Sequence, residues 1–260
     1  MAESTPSALP DARGTLGTVR NAVVLLDLLS SGPPYQYLND LSANSGLSVA
    51  TVHRLLRSLV AADLVEQDPR SSRYGLGAGV TRLSESYLGR LPVLNALAPY
   101  LVPLRDATGC TVQVALLVRG SATYVDRVDA PDGGIYRDAH RVLPALATAA
   151  GRVLAANAEE AVWAQALETA DPELREAANK EQETWRQAPY LYVSGAGSGP
   201  AVLPQPDSAE LAVGVPGPAD RSAAALALTC DVDLPEKRVQ ELARHLYQAA
   251  TAAGRTLSHG

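Results

Sequence analysis

The stretch that decides the fold is LSVATVHRLLRSLVAADLVEQDPRSSRYGLG, residues 47–77. Ser48 is a favourable N-cap, because its hydroxyl can accept a hydrogen bond from a free backbone N–H at the start of a helix. Apolar residues then recur at helical spacing as far as about Ala62. The residues expected to face the core are Val52, Leu55, Leu56, Leu59 and Val60. The spacing predicts one amphipathic helix with a buried face and an exposed face.

The exposed face of this helix carries small, hydroxyl-bearing and cationic residues. Its expected members are Ser48, Ala50, Thr51, Arg54, Arg57 and Ser58. Small residues near a helix N-terminus permit close approach to a major groove, and Arg can reach guanine or phosphate. His53 falls at the edge of the core face, where we expect it to support the helix or touch a phosphate rather than read a base. Exposed Arg on an amphipathic helix is also compatible with an ordinary solvated face.

The elements around this helix favour the DNA-binding interpretation. Helices are predicted over 18–29, ended by SSGPP, and over 38–45, closed by Gly46. After the amphipathic helix, residues 64–67 and 73–76 are predicted to be two short strands joined by a DPRSS turn. Three helices followed by a hairpin is the order of a winged helix-turn-helix. The wing residues expected to contact DNA are Arg70, Ser72 and Arg73.

In this order, the stretch resembles the helix-turn-helix and wing of the IclR-type bacterial transcription regulators. GTLGTVRNAVVLLDLLSS (14–31) is similar to their opening helix, and LPALATAAGRVLAA (143–156) is similar to a recurring helix of their ligand-binding domain. The resemblance implies an α+β protein with a winged helix-turn-helix domain (14–77), a linker helix (78–92) and a GAF-like effector-binding domain (93–260). The resemblance also implies a homodimer or homotetramer that binds a palindromic operator in double-stranded DNA under the control of a small-molecule effector. The residues before these domains (1–13) are predicted to be a disordered tail.

Three positions depart from the family pattern in the second domain. Leu146 replaces a His, Arg152 replaces a Lys, and Ser198 stands where a Cys is expected. The hydrophobic character survives, so we expect the fold to survive, but the identity of the effector does not carry over. An effector-independent regulator, or a protein-interaction module with a vestigial pocket, therefore stays open as an alternative.

Periodicity in the second domain predicts strands over 111–118 and 121–128, and two short apolar strands within 194–218. Helices are predicted over about 93–107, 145–156, 158–169, 172–187 and 235–254. The candidate effector-binding residues are Gln113, Tyr124, Arg137, His140, Arg141, Thr148 and Ser198. Converging Arg side chains beside an apolar sheet would suit a small carboxylate, because Arg binds carboxylates through two hydrogen bonds. The same Arg side chains could equally be solvated or paired with neighbouring Asp.

Charge and composition limit the function classes. The chain carries a net charge of −6, but residues 1–90 contain eight acids and eight Arg, so the acidity lies in the remainder. An N-terminal part without net charge but with grouped Arg is compatible with nucleic-acid binding. No apolar run approaches the ~18 residues of a membrane span, and the first residues lack a signal-peptide pattern. We therefore expect a cytoplasmic protein without membrane contact.

The sequence offers little support for an enzyme. Gly75, Gly77 and Gly79 lack the third glycine of a dinucleotide-binding fingerprint, because Val80 stands in its place. Four scattered His and two Cys form no recognisable metal-ligand pattern. We expect neither a cofactor nor a bound metal, and we expect regulation rather than catalysis.

Overall fold

The computed structural model describes residues 17–131, 141–194, 208–217, 221–231 and 234–258. The chain divides into two compact units, Met1–Arg90 and Leu91–Gly260, and each is described by itself. The predicted tail over 1–13, the candidate effector residues Arg137, His140 and Ser198, and any strand within 195–207 lie outside the described residues.

Between residues 17 and 90, the first unit consists of four helices and one small hairpin. In chain order its elements are α1 (Gly17–Ser31), α2 (Leu38–Ser45), α3 (Val49–Ala61), β1 (Val65–Gln67), β2 (Tyr74–Leu76) and α4 (Ala78–Leu88). The hairpin is antiparallel, and Glu66 lies opposite Gly75. One apolar core joins the first three helices to the hairpin: Leu25, Leu29, Leu41, Val52, Leu55, Leu56, Leu59, Val65 and Tyr74. This order confirms the predicted winged helix-turn-helix.

The start of α3 forms as predicted, but one of its expected core residues does not pack. Gly46 ends α2 with φ of 68°, and the Ser48 hydroxyl accepts a hydrogen bond from the Thr51 N–H at 3.3 Å. Val60 was expected to face the core and is instead 40% exposed. The buried arc of α3 is centred between Leu55 and Leu56, so Val60 lies at its margin, in the last turn of the helix.

Two glycines let the start of α4 approach the turn after α3. A Cβ at Gly77 or Gly79 would lie 2.5 or 2.6 Å from the carbonyl oxygen of Asp63. The amide of Gly79 donates to that same oxygen at 2.8 Å, and the amide of Gly77 donates to Leu64 O at 2.9 Å. These glycines therefore serve close backbone packing.

The second unit is an antiparallel sheet with helices on both faces. Its helices are α5 (Pro92–Thr108), a 3-10 turn (Ala145–Ala147), α6 (Ala149–Ala156), α7 (Glu160–Glu168), α8 (Pro172–Gln187) and α9 (Glu236–Ser258). Its strands are β3 (Thr111–Val118), β4 (Ser121–Val128), β5 (Val142–Pro144), β6 (Leu191–Ser194), β7 (Ser208–Pro216) and β8 (Ser222–Asp231). The strand order is β5-β4-β3-β8-β7-β6. The predicted α+β class is confirmed.

This unit differs from the sequence-based expectation at Thr148 and in three strands that were not expected, β5, β6 and β8. The helix predicted over 145–156 is broken at Thr148, whose extended backbone (φ −124°, ψ 154°) caps α6. The strand β8 had not been predicted, although it lies between β3 and β7 at the centre of the sheet. Its sequence, SAAALALTCD, is dominated by Ala, which has a low preference for strands. Position in the sheet overrides that preference.

The two faces of the sheet carry side chains of different size. In β8, Leu226 and Leu228 pack with α5 and α9, whereas Ala225 and Ala227 face the α6 side. This alternation follows from the two-residue period of a strand. Small side chains on the second face let α6 lie close to the sheet, and nearly all of α6 is buried.

Gly151 is the tightest point of this packing, because a Cβ there would lie 2.1 Å from the carbonyl oxygen of Ala145. We expect Gly151→Ala to lower the free energy of unfolding by ~1–3 kcal/mol, since the backbone of the preceding turn must move. Thermal or urea unfolding measures the change. Gly17→Ala is the control, because no described neighbour lies within 4 Å of its added methyl group. Equal stability of the two variants would contradict the packing described here.

Candidate nucleic-acid interface and candidate effector site

The outward face of α3 is cationic and unobstructed within the first unit. Ala50, His53, Arg54, Arg57 and Ser58 are exposed, opposite the buried stripe of the same helix. Within the part of the chain that the structure describes, no hydrogen bond or ion pair engages the guanidinium of Arg54 or Arg57. His53 was expected at the edge of the core and is exposed instead. This face can therefore offer two cations and an imidazole to an anionic partner.

The hydroxyl groups of this face are partly used within the helix. The Ser48 and Thr51 hydroxyls lie 2.9 Å apart at the N-cap. The Ser58 hydroxyl donates to the Arg54 carbonyl oxygen at 3.1 Å. The two Arg side chains are thus better placed than the hydroxyl groups to reach a partner.

Asp68 organises the turn of the wing. Its carboxylate accepts hydrogen bonds from the amides of Arg70 at 3.2 Å and Ser71 at 3.0 Å, and from the Ser71 hydroxyl. Its carbonyl oxygen accepts from the amide of Ser72, which adopts a positive φ of 57°. The Ser71 hydroxyl, followed by the Arg70 amide, lowers the pKa of Asp68. The exposed side chain of Arg70 is left projecting from the tip of the turn.

Arg73 has a different environment from Arg70. Its guanidinium donates to the Tyr37 hydroxyl at 2.7 Å, and its central carbon lies 4.2 Å from the centroid of the Tyr37 ring. The side chain is half-buried, and its Nε is buried without a partner among the described residues. The sequence placed Arg73 among the DNA contacts, whereas the structure places it against the segment between α1 and α2.

That segment, residues 35–37, holds the wing in three places. The Tyr35 hydroxyl hydrogen-bonds Glu66 on β1. Gln36 exchanges two backbone hydrogen bonds of 2.9 Å with Tyr74 on β2, and its side-chain amide donates to Leu28 O at 2.7 Å. Together with the Tyr37–Arg73 contact, these bonds tie the hairpin to α1 and so fix its position relative to α3.

In the second unit, a buried carboxyl group lies at the start of α6. Glu210 on β7 is 2% exposed. One of its oxygens accepts from the amides of Ala149 at 2.7 Å and Ala150 at 3.3 Å. The other accepts from the Tyr124 hydroxyl at 2.5 Å. Sequence reasoning missed Glu210, although a lone acid within the apolar run SAELAVGV was the available signal.

Four of the predicted effector residues lie around Glu210: Gln113, Tyr124, Arg141 and Thr148. The Thr148 hydroxyl accepts from the Gly151 amide at 2.9 Å and its side chain also interacts with Tyr124. The guanidinium carbon of Arg141 lies 5.9 Å from the centroid of the Tyr124 ring. Gln113 joins the group through Thr229. The Thr229 hydroxyl donates to the side-chain oxygen of Gln113 at 3.2 Å, and Thr229 lies opposite Glu210 in the sheet.

Burial dominates the electrostatics of this cluster. It raises the pKa of Glu210, although the hydrogen bonds from Tyr124 and from the two amides, and the nearby Arg141, oppose the shift. Burial and then the adjacent Glu210 raise the pKa of Tyr124 well above its usual value. The Tyr124 hydroxyl therefore keeps its proton and can act as a donor.

Arg152, the departure from the family Lys, is bound inside the domain. Its Nε donates to Leu146 O at 2.8 Å, and its guanidinium carbon lies 4.8 Å from the centroid of the Trp185 ring. Burial lowers its pKa, while Glu181 and Glu210 oppose that shift. Arg152 thus joins α6 to α8 and adds a positive charge near the Glu210 cluster.

Two features are absent from the described residues. No group of three His, Cys, Asp or Glu side chains is arranged to hold a metal ion. No described helix combines the length and the apolar character needed to cross a membrane.

The fold and the exposed face of α3 define a winged helix-turn-helix protein with a second, α+β domain. Residues 18–69 match the family model of the IclR helix-turn-helix domain, and residues 85–180 match that of the bacterial transcriptional regulator IclR C-terminal domain. The chain belongs to the IclR family of bacterial transcriptional regulators.

Individual relatives are similar over different lengths. The glycerol operon regulatory protein of Streptomyces coelicolor is 32% identical over 145 residues, which is 54% of this chain and 55% of that protein. The matched region spans only about half the length of the curated relatives. These relatives are named as regulators, not as enzymes.

Solved structures show the same fold over nearly the whole chain. An IclR family transcriptional regulator from Brucella abortus has a TM-score of 0.77 at 20% identity, covering 94% of both chains. An IclR homolog from Microbacterium hydrocarbonoxydans, complexed with 4-hydroxybenzoate, has a TM-score of 0.69 at 19% identity, covering 94% of this chain and all of that one. At such identities the likeness shows the fold alone.

The wing turn provides a pH-dependent test. Because its hydrogen bonds lower the pKa of Asp68, their contribution is present above the carboxyl group's unfolded-state pKa and is lost as the pH falls through the lowered value. We expect the amides of Arg70 and Ser71 to lose protection in acid, as measured by NMR-detected hydrogen exchange corrected for intrinsic rates. Asp68→Asn is the control and should abolish this transition. An unchanged acid transition in that variant would show that another group controls the turn.

Proposed function

We propose that the protein is a DNA-binding transcription regulator that presents α3 to the major groove. The observation that carries this proposal is the division of α3 into a buried stripe and an opposite face, whose two Arg side chains have no partner among the described residues. Arg can bind the O6 and N7 atoms of guanine through two hydrogen bonds, or a phosphate. The small Ala50 near the start of the helix permits close approach.

The proposed target is a palindromic operator bound by a homodimer or homotetramer. One short helix offers too few base contacts for genomic specificity, whereas two copies related by symmetry read two half-sites. The exposed Arg70 at the wing tip is suited to the adjoining backbone or minor groove. The proposed domains are the winged helix-turn-helix (14–77), the linker helix (78–92) and the effector-binding domain (93–260). The proposed site of action is the cytoplasm, where a bacterial operator lies.

We further propose that a small-molecule effector bound in the second domain controls operator affinity. The cluster around Glu210 supports this proposal, because it gathers buried polar groups on the alanine-lined face of the sheet. An effector can shift DNA affinity only through different affinities for two conformations of the protein. Because the Microbacterium homolog was crystallised with 4-hydroxybenzoate, a first effector panel sets aromatic acids beside neutral and cationic compounds. The carboxylate expectation from the sequence stays a prediction.

The alternative is an effector-independent regulator or a protein-interaction module. Salt dependence separates DNA binding from the second of these. Arg54, Arg57 and Arg70 in each subunit of a dimer could contact six phosphates, which predicts a log–log salt slope of about −5. Association with DNA that does not respond to salt would favour the interaction module.

Arg54→Ala and Arg57→Ala test the proposed interface directly. We expect either substitution to weaken operator binding by ~1–3 kcal/mol, and to relax sequence preference if the lost contact was to a base. Fluorescence anisotropy on a selected operator and a selection from randomised DNA measure the two effects.

Arg244→Ala is the matched control, because it removes the same charge from an exposed position on α9. The control should leave affinity and sequence preference unchanged. Wild-type affinity in both α3 variants would show that another surface binds DNA.

A further inference from the structure

The first turn of α6 presents three backbone N–H groups that have no acceptor within the helix. Glu210 accepts from Ala149 at 2.7 Å and from Ala150 at 3.3 Å, and the Thr148 hydroxyl accepts from Gly151 at 2.9 Å. The next amide, of Arg152, donates to the Thr148 carbonyl oxygen at 3.0 Å, and the regular helix begins there. The chain's own side chains therefore use every free donor of this turn.

Such donors usually favour a bound anion. Helix N-termini attract carboxylates and phosphates, because free N–H groups and the helix dipole both stabilise negative charge. Here the carboxyl group comes from β7, 60 residues further along the chain than Ala150. It also has the Tyr124 hydroxyl on its second oxygen. One buried carboxyl group thus occupies donors from two elements, α6 and β4.

Among the described residues, the apolar part of this face supplies no side-chain hydrogen-bond donor. Its buried residues are mainly small and apolar: Ala115, Ala122, Ala149, Ala150, Val153, Leu154, Ala212, Ala225 and Ala227. A free carboxylate that entered here would compete with Glu210 for the amides of α6, and burial of two carboxyl groups side by side is unfavourable.

We propose that Glu210 is a resident carboxyl group that fills the anion-accepting end of α6, so that the domain takes no free carboxylate there. The conclusion about effector class rests on the proposed effector function, although the experiments that test it do not use DNA. An effector that reaches the cluster meets a carboxyl acceptor. Its class is therefore a neutral or cationic compound that supplies hydrogen-bond donors.

Removal of the Glu210 side chain should create a carboxylate site. We expect Glu210→Ala to melt at a lower temperature than the wild type, because the amides of α6 and the Tyr124 hydroxyl lose their acceptor. Sodium acetate or sodium formate should recover a large part of the lost Tm, whereas sodium chloride at equal ionic strength should not. The measurement is thermal unfolding of the full chain.

Two variants control for a general effect of carboxylate salts. Val213→Ala also opens a buried cavity on β7, but on the face that packs with α5 and α9. It should be destabilised without recovering in acetate. Glu210→Gln keeps the shape of the side chain, so it leaves no space for acetate and should not respond. An equal response of Val213→Ala and Glu210→Ala would overturn the proposal.

The wild type supplies a test that does not depend on a variant that folds. NMR signals of the Ala149 and Ala150 amides should not move when acetate or 4-hydroxybenzoate is added. A saturable shift of both amides would overturn the proposal, because it would show donors open to an outside carboxylate. Benzylamine serves as the cationic probe of the cluster, and its saturable effect on the Tyr124 ring signals is the expected result. If benzylamine gives no shift at millimolar concentration, the assignment of effector class is wrong.

These results can be separated from the fate of the proposed function. If acetate rescues Glu210→Ala but the wild type shows no salt-dependent operator binding, the proposal about Glu210 is supported and the regulator proposal is wrong. If the wild type binds the operator but acetate does not rescue Glu210→Ala, the regulator proposal is supported and the proposal about Glu210 is wrong.

Discussion

The first unit depends on how α3 divides its residues between core and surface. Val52, Leu55, Leu56 and Leu59 are buried against α1, α2 and the hairpin. Burial of such side chains contributes roughly 1.5–3 kcal/mol each, so rotation of the helix about its axis is strongly unfavourable. The same packing fixes the direction of the opposite face. Arg54 and Arg57 therefore project outward, because the four apolar residues hold the other side of the helix against the core.

The wing shows that residues of one type can have different roles in one hairpin. Arg70 extends from a turn organised by Asp68, whereas Arg73 is bound to Tyr37. The segment 35–37 holds both strands, so the hairpin is positioned before any partner is present. Such positioning reduces the entropy that would otherwise be lost on binding. Arg73 thus positions the wing against Tyr37, and Arg70 is the exposed Arg of the pair.

The second unit combines a heavily packed face of the sheet with a face of small residues. Leu and Val side chains fill the space between the sheet and the α5–α9 pair, and Ala side chains allow α6 to approach from the other side. This close approach brings the start of α6 to β7, where Glu210 satisfies two of its amides. The cluster that the sequence associated with an effector is therefore also a structural joint between a helix and two strands.

The sequence by itself determined the elements whose signals are local. The N-cap Ser48, the Gly46 turn, the apolar spacing of α3 and the DPRSS turn act over a few residues, so helix and hairpin bounds in the first unit could be predicted closely. The same holds for β3 and β4, whose predicted bounds are those observed. The tertiary structure alone decided the contacts between distant residues. Tyr124 and Glu210 are 86 residues apart, Tyr37 and Arg73 are 36 apart, and the alanine-rich β8 becomes the central strand only through its neighbours. Such contacts depend on strand register and helix packing, which no local pattern of side chains specifies.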